Sequence, residues 1–129
     1  DTAIKLLYHI KSFYGRQVCD IEEALRTEPM VLYNLSKYLG RAGRIEESIE
    51  ISSLGIRLAK ETRRCSSLAR TLYNKAYVLY ERNNPGDREA SLHYAKQAYN
   101  LADILDMKKS KEHYRKFILD RFNVNFDYC

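Results

Sequence analysis

The chain has 129 residues, 45% of them hydrophobic and 30% charged, a balance that fits one globular domain and excludes a disordered chain. Its 22 Lys and Arg against 17 Asp and Glu leave a net charge of +5, but the cations are scattered, so no basic tract marks a nucleic-acid site. Cys19, Cys65 and Cys129 stand far apart with no CxxC pair, against both a disulfide framework and a zinc site, and no run approaches the roughly 20 apolar residues that cross a bilayer.

The N-terminus DTAIKLLYHIK lacks the order of a signal peptide, so a cytoplasmic location is expected. The chain starts without Met inside an apolar helical pattern, which suggests a part of something longer. Within residues 1–27, Ala3, Ile4, Leu7 and Ile10 read as the second helix of a preceding unit, followed by a connection in which Asp20 to Glu23 suits a capping box.

A first unit is expected over 28–64. From Pro29 to Arg41, Leu32, Leu35 and Leu39 keep the spacing of one helix face with small Ser36 beside them; Thr27 is the candidate N-cap, Pro29 an early-turn proline, and Gly43 the stop. A second helix runs from about Ile45 to Lys60. It is apolar on two faces, Ile45, Ile49 and Ile56 on one and Ile51, Leu54 and Leu58 on the other, as a helix packed between two neighbours must be. Small Ser48, Ser52 and Gly55 allow those neighbours to come close.

A second unit follows over 65–106. Ser66 or Ser67 is the candidate cap of a helix carrying Leu72, Ala76 and Leu79; Asn83, Asn84, Pro85 and Gly86 break it, and Arg88 to Ile104 return with Ala95 and Ala98 in the small positions. This unit is longer by three residues, and the excess falls in the NNPG turn. Residues 107–129 read as a capping helix and tail, with a helix from Lys108 to Phe122 that turns Tyr114, Phe117 and Ile118 inward.

The stretch LYNLSKYLGRAGRIEESIEISSLGI resembles the tetratricopeptide repeat consensus through Leu32, the YNL that follows, Ser36, Leu39, Gly43, Glu46, Glu47, Ser48 and Gly55. LYNKAYVLYE and its return helix resemble it again through Ala76, Leu79, Gly86, Asp87, Ser91, Ala95 and Ala98, departing at Lys75, where an apolar residue is usual, and in the longer turn. The resemblance implies an all-α fold of antiparallel helix pairs stacked as a right-handed superhelix, here the C-terminal end of a larger array. With the ending KQAYNLADILDMKKSKEHYRKFILDRFNV, the chain also resembles the C-terminal sensor domains of bacterial helix-turn-helix transcriptional regulators of the peptide-responsive Rgg, PlcR and PrgX type.

That resemblance implies a concave groove lined by first helices. Its residues would be Met30, Tyr33, Asn34, Lys37 and Arg41 from one unit and Arg70, Tyr73, Asn74, Tyr77, Tyr80 and Glu81 from the next. Tyrosines offer wide apolar faces with a hydroxyl, and Lys37, Arg41 and Arg70 suit a carboxylate, so the expected ligand is a short peptide or protein segment. Tyr73, Tyr77 and Tyr80 share one helix face, and wedging between repeats is an equal reading. Asn34 and Asn74 are candidate peptide clamps or ordinary repeat consensus. Arg63, Arg64 and the KKSK at Lys108 read as solvated helix ends; Cys65 reads as a small core residue, with a reactive thiol as the alternative.

His9, His93 and His113 are isolated, and no HExxH, GxSxG or glycine-rich phosphate loop occurs, so no catalytic residue, metal or cofactor is expected. The function implied is ligand sensing on behalf of an N-terminal DNA-binding domain outside this chain, with DNA contacted only through that domain. The alternative is a repeat scaffold for protein partners without a role in transcription. A homodimer remains open, and no membrane partner is expected.

Overall fold

Leu, Ala, Glu, Lys and Arg dominate the runs between glycines and prolines, and such runs favour helix. The computed structural model describes residues 21–124, with side chains from Met30 onward. Among the described residues the fold is all-α, with no strand: α1 Ile21–Arg41, α2 Ile45–Glu61, α3 Cys65–Arg82, α4 Asp87–Ile104 and α5 Lys108–Phe122. The helix expected before Asp20, Asp20 itself and the tail after Val124 lie outside the described residues.

Two helix starts differ from expectation. Thr27 and Pro29 lie inside α1, which begins at Ile21, so the unit boundary expected at residue 28 falls within a helix. Proline removes one backbone donor and crowds the carbonyl four residues back; the strong helix formers of IEEALR and the packed stretch beyond Met30 carry the helix across it. Helix α3 starts directly at Cys65, with Arg64 as N-cap and no side-chain cap bond, so neither Ser66 nor Ser67 caps it.

The reason is a three-residue turn used three times. Gly43, Arg63 and Asp106 adopt left-handed φ values of 80°, 58° and 56°. The amides that follow, of Arg44, Arg64 and Met107, donate to the carbonyls of Leu39, Ala59 and Ala102, each at 2.9 Å. This closes the preceding helix and launches the next without a capping side chain.

Consecutive helices pack as antiparallel pairs. The Ser48 hydroxyl donates to the Ser36 carbonyl at 2.6 Å, while a Cβ on Gly55 would lie 3.3 Å from that of Leu32, so α1 and α2 approach closely in opposite directions. Between α3 and α4 the same bond recurs: Ser91 donates to the Ala76 carbonyl at 2.6 Å. Leu32, Leu35, Leu39 and Ile51 are buried between the first two helices with Leu54 and Leu58 against them, while Ile56, on the other face of α2, is buried with Leu72 of α3. A fully buried leucine is worth about 1.5–3 kcal/mol, so these layers are the principal attraction. Ser36, Ser48, Ser52, Thr71 and Ser91 are also buried, and each hydroxyl donates to a carbonyl.

Lys75, where the repeat pattern calls for an apolar residue, keeps its amine 4.6 Å over the Tyr94 ring and donates to the Tyr94 hydroxyl at 3.2 Å. Its stem packs while its charge is partnered. At the longer turn, Arg82 holds Asp87 with two hydrogen bonds of 2.7 and 2.9 Å and reaches Glu46 at 3.1 Å, joining the end of α3 to the starts of α4 and α2. The Asn84 backbone N–H donates to the same Asp87 carboxylate at 2.9 Å.

Two expectations follow. A Cβ on Gly40 would sit 2.8 Å from Val78 Cγ1, a branched side chain with little freedom. Gly40→Ala should therefore lower stability by about 1–2 kcal/mol, despite alanine's helix advantage, because overpacking outweighs it. Urea unfolding of Gly40→Ala, Val78→Ala and the double variant checks this, the double losing less than the two single losses combined.

The hydrogen bonds from Arg82 hold the Asp87 carboxyl below its ordinary pKa of 3.8, against the opposing effect of burial. A depressed carboxyl stabilises the fold above its unfolded pKa and loses that contribution as pH falls through the folded value. The melting temperature of Asp87→Asn should thus lie below that of the parent at pH 7, and the gap should close in a series taken below about pH 3.8.

Candidate functional site

Helices α1 and α3 lie side by side and parallel. The Asn74 amide donates to the Tyr33 carbonyl at 2.9 Å and to the Ser36 hydroxyl at 3.1 Å, and one turn on Gly40 meets Val78. Helix α5 packs against α3 through aromatic rings. Tyr73 stacks on Tyr114 with centroids 4.5 Å apart and meets Phe117 edge-on at 5.3 Å; further along, Tyr80 meets Phe122 at 5.4 Å. Residue numbers rise together along both helices, so α5 runs parallel to α3.

The three parallel helices enclose a groove of about 560 Å³, within the usual range for ligand pockets. Of the residues expected there, Tyr33, Lys37, Arg41, Arg70, Tyr73, Asn74 and Tyr77 line it. Met30, Asn34, Tyr80 and Glu81 do not. Met30 stands half exposed, and the Asn34 amide donates to the Met30 carbonyl of its own helix at 3.1 Å. Tyr80 lies beside α5, between Phe117, Phe122 and the guanidinium groups of Arg88 and Arg121, and Glu81 is exposed.

The far wall comes from α5, which contributes Lys109, Ser110, His113, Tyr114 and Arg121. Lys109 and Ser110 belong to the KKSK segment read as a solvated helix end. A usable signal existed: a period of about forty residues carries Tyr33 to Tyr73 and Tyr73 to His113. A smaller hollow of about 460 Å³ continues past Arg70 and Lys109 toward Asp106 and Met107. Cys65, read as a core residue, is exposed, its sulfur 3.8 Å from the Arg63 carbonyl.

The groove is electrostatically one-sided. Lys37, Arg41, Arg70, Lys109 and Arg121 line it, and no Asp or Glu does. Ion pairs formed by Arg44, Arg82, Lys111 and Arg115 with carboxylates lie outside it. Arg70 rests 5.6 Å over the Tyr33 ring, and Arg121 rests 5.3 Å over Tyr80 and 5.7 Å over Phe117. Burial pushes the Tyr73 hydroxyl up to about 12, reinforced by Tyr114 and Tyr77, and burial also raises Tyr114. Both stay neutral phenols at physiological pH, so the floor is aromatic and uncharged and the walls are cationic.

Among the described residues no group of three His, Cys, Asp or Glu could hold a metal ion, and no helix is long and apolar enough to cross a membrane. Comparison with models of protein families, with curated proteins and with solved structures finds no match.

The two asparagines now separate. Asn74→Ala breaks two bonds between α1 and α3 and should cost about 1–3 kcal/mol. Asn34→Ala should stay within about 0.5 kcal/mol, because its bond is an exposed one within a single helix. Thermal unfolding of the two variants checks the contrast; equal stability would show that Asn74 does not tie the helices together.

Proposed function

We propose that the chain is a tetratricopeptide-like ligand-sensing and protein-interaction domain that binds a short peptide in the groove between α1, α3 and α5. The observation that carries this reading is the groove itself, about 560 Å³ with Tyr33, Tyr73, Tyr77 and Tyr114 along it and cations at its walls. Aromatic faces take apolar side chains at little entropic cost, and their hydroxyls supply hydrogen bonds to a peptide backbone. The domain performs no catalysis in this reading.

The right-handed superhelix is the fuller form of the same proposal, supported by parallel first helices and by the repeated serine-to-carbonyl bond. The domain belongs to a cytoplasmic bacterial transcriptional regulator and controls a DNA-binding domain joined ahead of Asp1. Ligand contacts with three helices at once would bias their relative tilt, and that tilt is what a joined domain or second subunit would sense.

Selection of short peptides from a random library against the whole chain tests the binding step. Tyr77→Ala should weaken the selected peptides by at least about tenfold, or 1.4 kcal/mol, with the helical circular dichroism unchanged; unaltered affinity would reject the groove. Sequencing the coding region upstream of Asp1 separates the parent proteins. A helix-turn-helix there supports the regulator, whereas its absence, with binders still recovered, favours a partner scaffold.

A further inference from the structure

Four of the five cations that line the groove stand toward its two ends, and Lys37 stands between them, one turn before Arg41. Because α1, α3 and α5 run parallel, Arg70 and Lys109 stand near the N-terminal end of the groove and Arg41 and Arg121 near its C-terminal end. Each pole pairs an arginine lying over an aromatic ring with a second, exposed cation. Arg70 lies over Tyr33 with Lys109 nearby; Arg121 lies over Tyr80 and Phe117 at the same end as Arg41. Tyr73, Tyr77, His113 and Tyr114 occupy the stretch between.

No carboxylate lies in the lining, and Asp106 borders only the smaller hollow beyond Arg70 and Lys109, so an anionic occupant gains attraction at each end of the groove. Lys109 and Arg121 are twelve residues apart on one helix, which at 1.5 Å per residue separates the poles by about 18 Å. An extended chain covers that span in about five residues at 3.3 Å each. We infer that the groove selects an extended peptide bearing two carboxylates about five residues apart, one seated at each pole, with uncharged residues over the tyrosine floor between them. This rests on the peptide-binding reading and adds the chemistry of the ligand. A peptide is favoured over single-stranded nucleic acid because four of the five cations stand toward the ends and Lys37 alone stands between them, too few to track a continuous backbone.

The probe is an acetylated, amidated hexapeptide with aspartate at both ends and alanine or leucine between, titrated calorimetrically at low salt into the 129-residue chain. It should bind, and replacing either aspartate by asparagine should weaken it at least about tenfold, equivalent to 1.4 kcal/mol. Arg41→Gln and Lys109→Gln, both at exposed positions, should each weaken the di-aspartate peptide at least about tenfold and weaken its di-asparagine counterpart less. Equal affinity of the parent for the two peptides would overturn the two-pole inference and leave the groove a peptide site. Binding of neither, with no peptide recovered from the random library, would overturn both readings. A decathymidine strand that displaces the di-aspartate peptide and binds more tightly would assign the cations to nucleic acid.

Discussion

The structure depends on how closely two paired helices can approach, and a serine hydroxyl sets that distance twice. Ser48 donates to the Ser36 carbonyl and Ser91 to the Ala76 carbonyl, each at 2.6 Å. Such contacts require small residues on both partners, because a larger side chain would hold the backbones apart. They also satisfy a hydroxyl that burial would otherwise leave costly. Around them the leucines and isoleucines supply most of the attraction but little of the register, since apolar contacts tolerate sliding that a directed hydrogen bond does not.

From that register the groove follows. Pairing α1 with α2 and α3 with α4 places α1 beside α3, and the Asn74 amide locks the two at Tyr33 and Ser36. Helix α5 closes the row through ring contacts, Tyr73 of α3 stacking on Tyr114 with its phenol pushed up to about 12. The two joints differ in kind. The first is directional and narrow, while the second is made of aromatic faces that keep contact as they slide.

Much of this was legible from residue spacing. Burial of Leu32, Leu35, Leu39, Tyr114, Phe117 and Ile118, the limits Lys108 and Phe122, and the two faces of α2 follow from periodicity, because burial repeats with the helix. Helix starts were harder. At Cys65 the preceding left-handed turn replaces a cap, and at Pro29 the helix continues through a residue that usually begins one. For the groove, seven of the eleven expected residues line it, but the wall formed by α5 was not foreseen. Which flank of a helix stays open depends on where the next helix docks, and that contact is non-local: Tyr80 was indistinguishable from Tyr77 until Phe117 and Phe122 lay against it.

The tyrosine floor has an optical consequence. The chain contains 11 tyrosines and no tryptophan, so its near-ultraviolet emission comes from phenol rings. Four of those rings, of Tyr33, Tyr73, Tyr77 and Tyr114, border the groove. A tryptophan carried in by a ligand would lie within a few ring diameters of all four and accept their excitation. The groove thus contains its own set of energy donors, and occupancy can be followed in the unlabelled native chain by the colour of the light it returns.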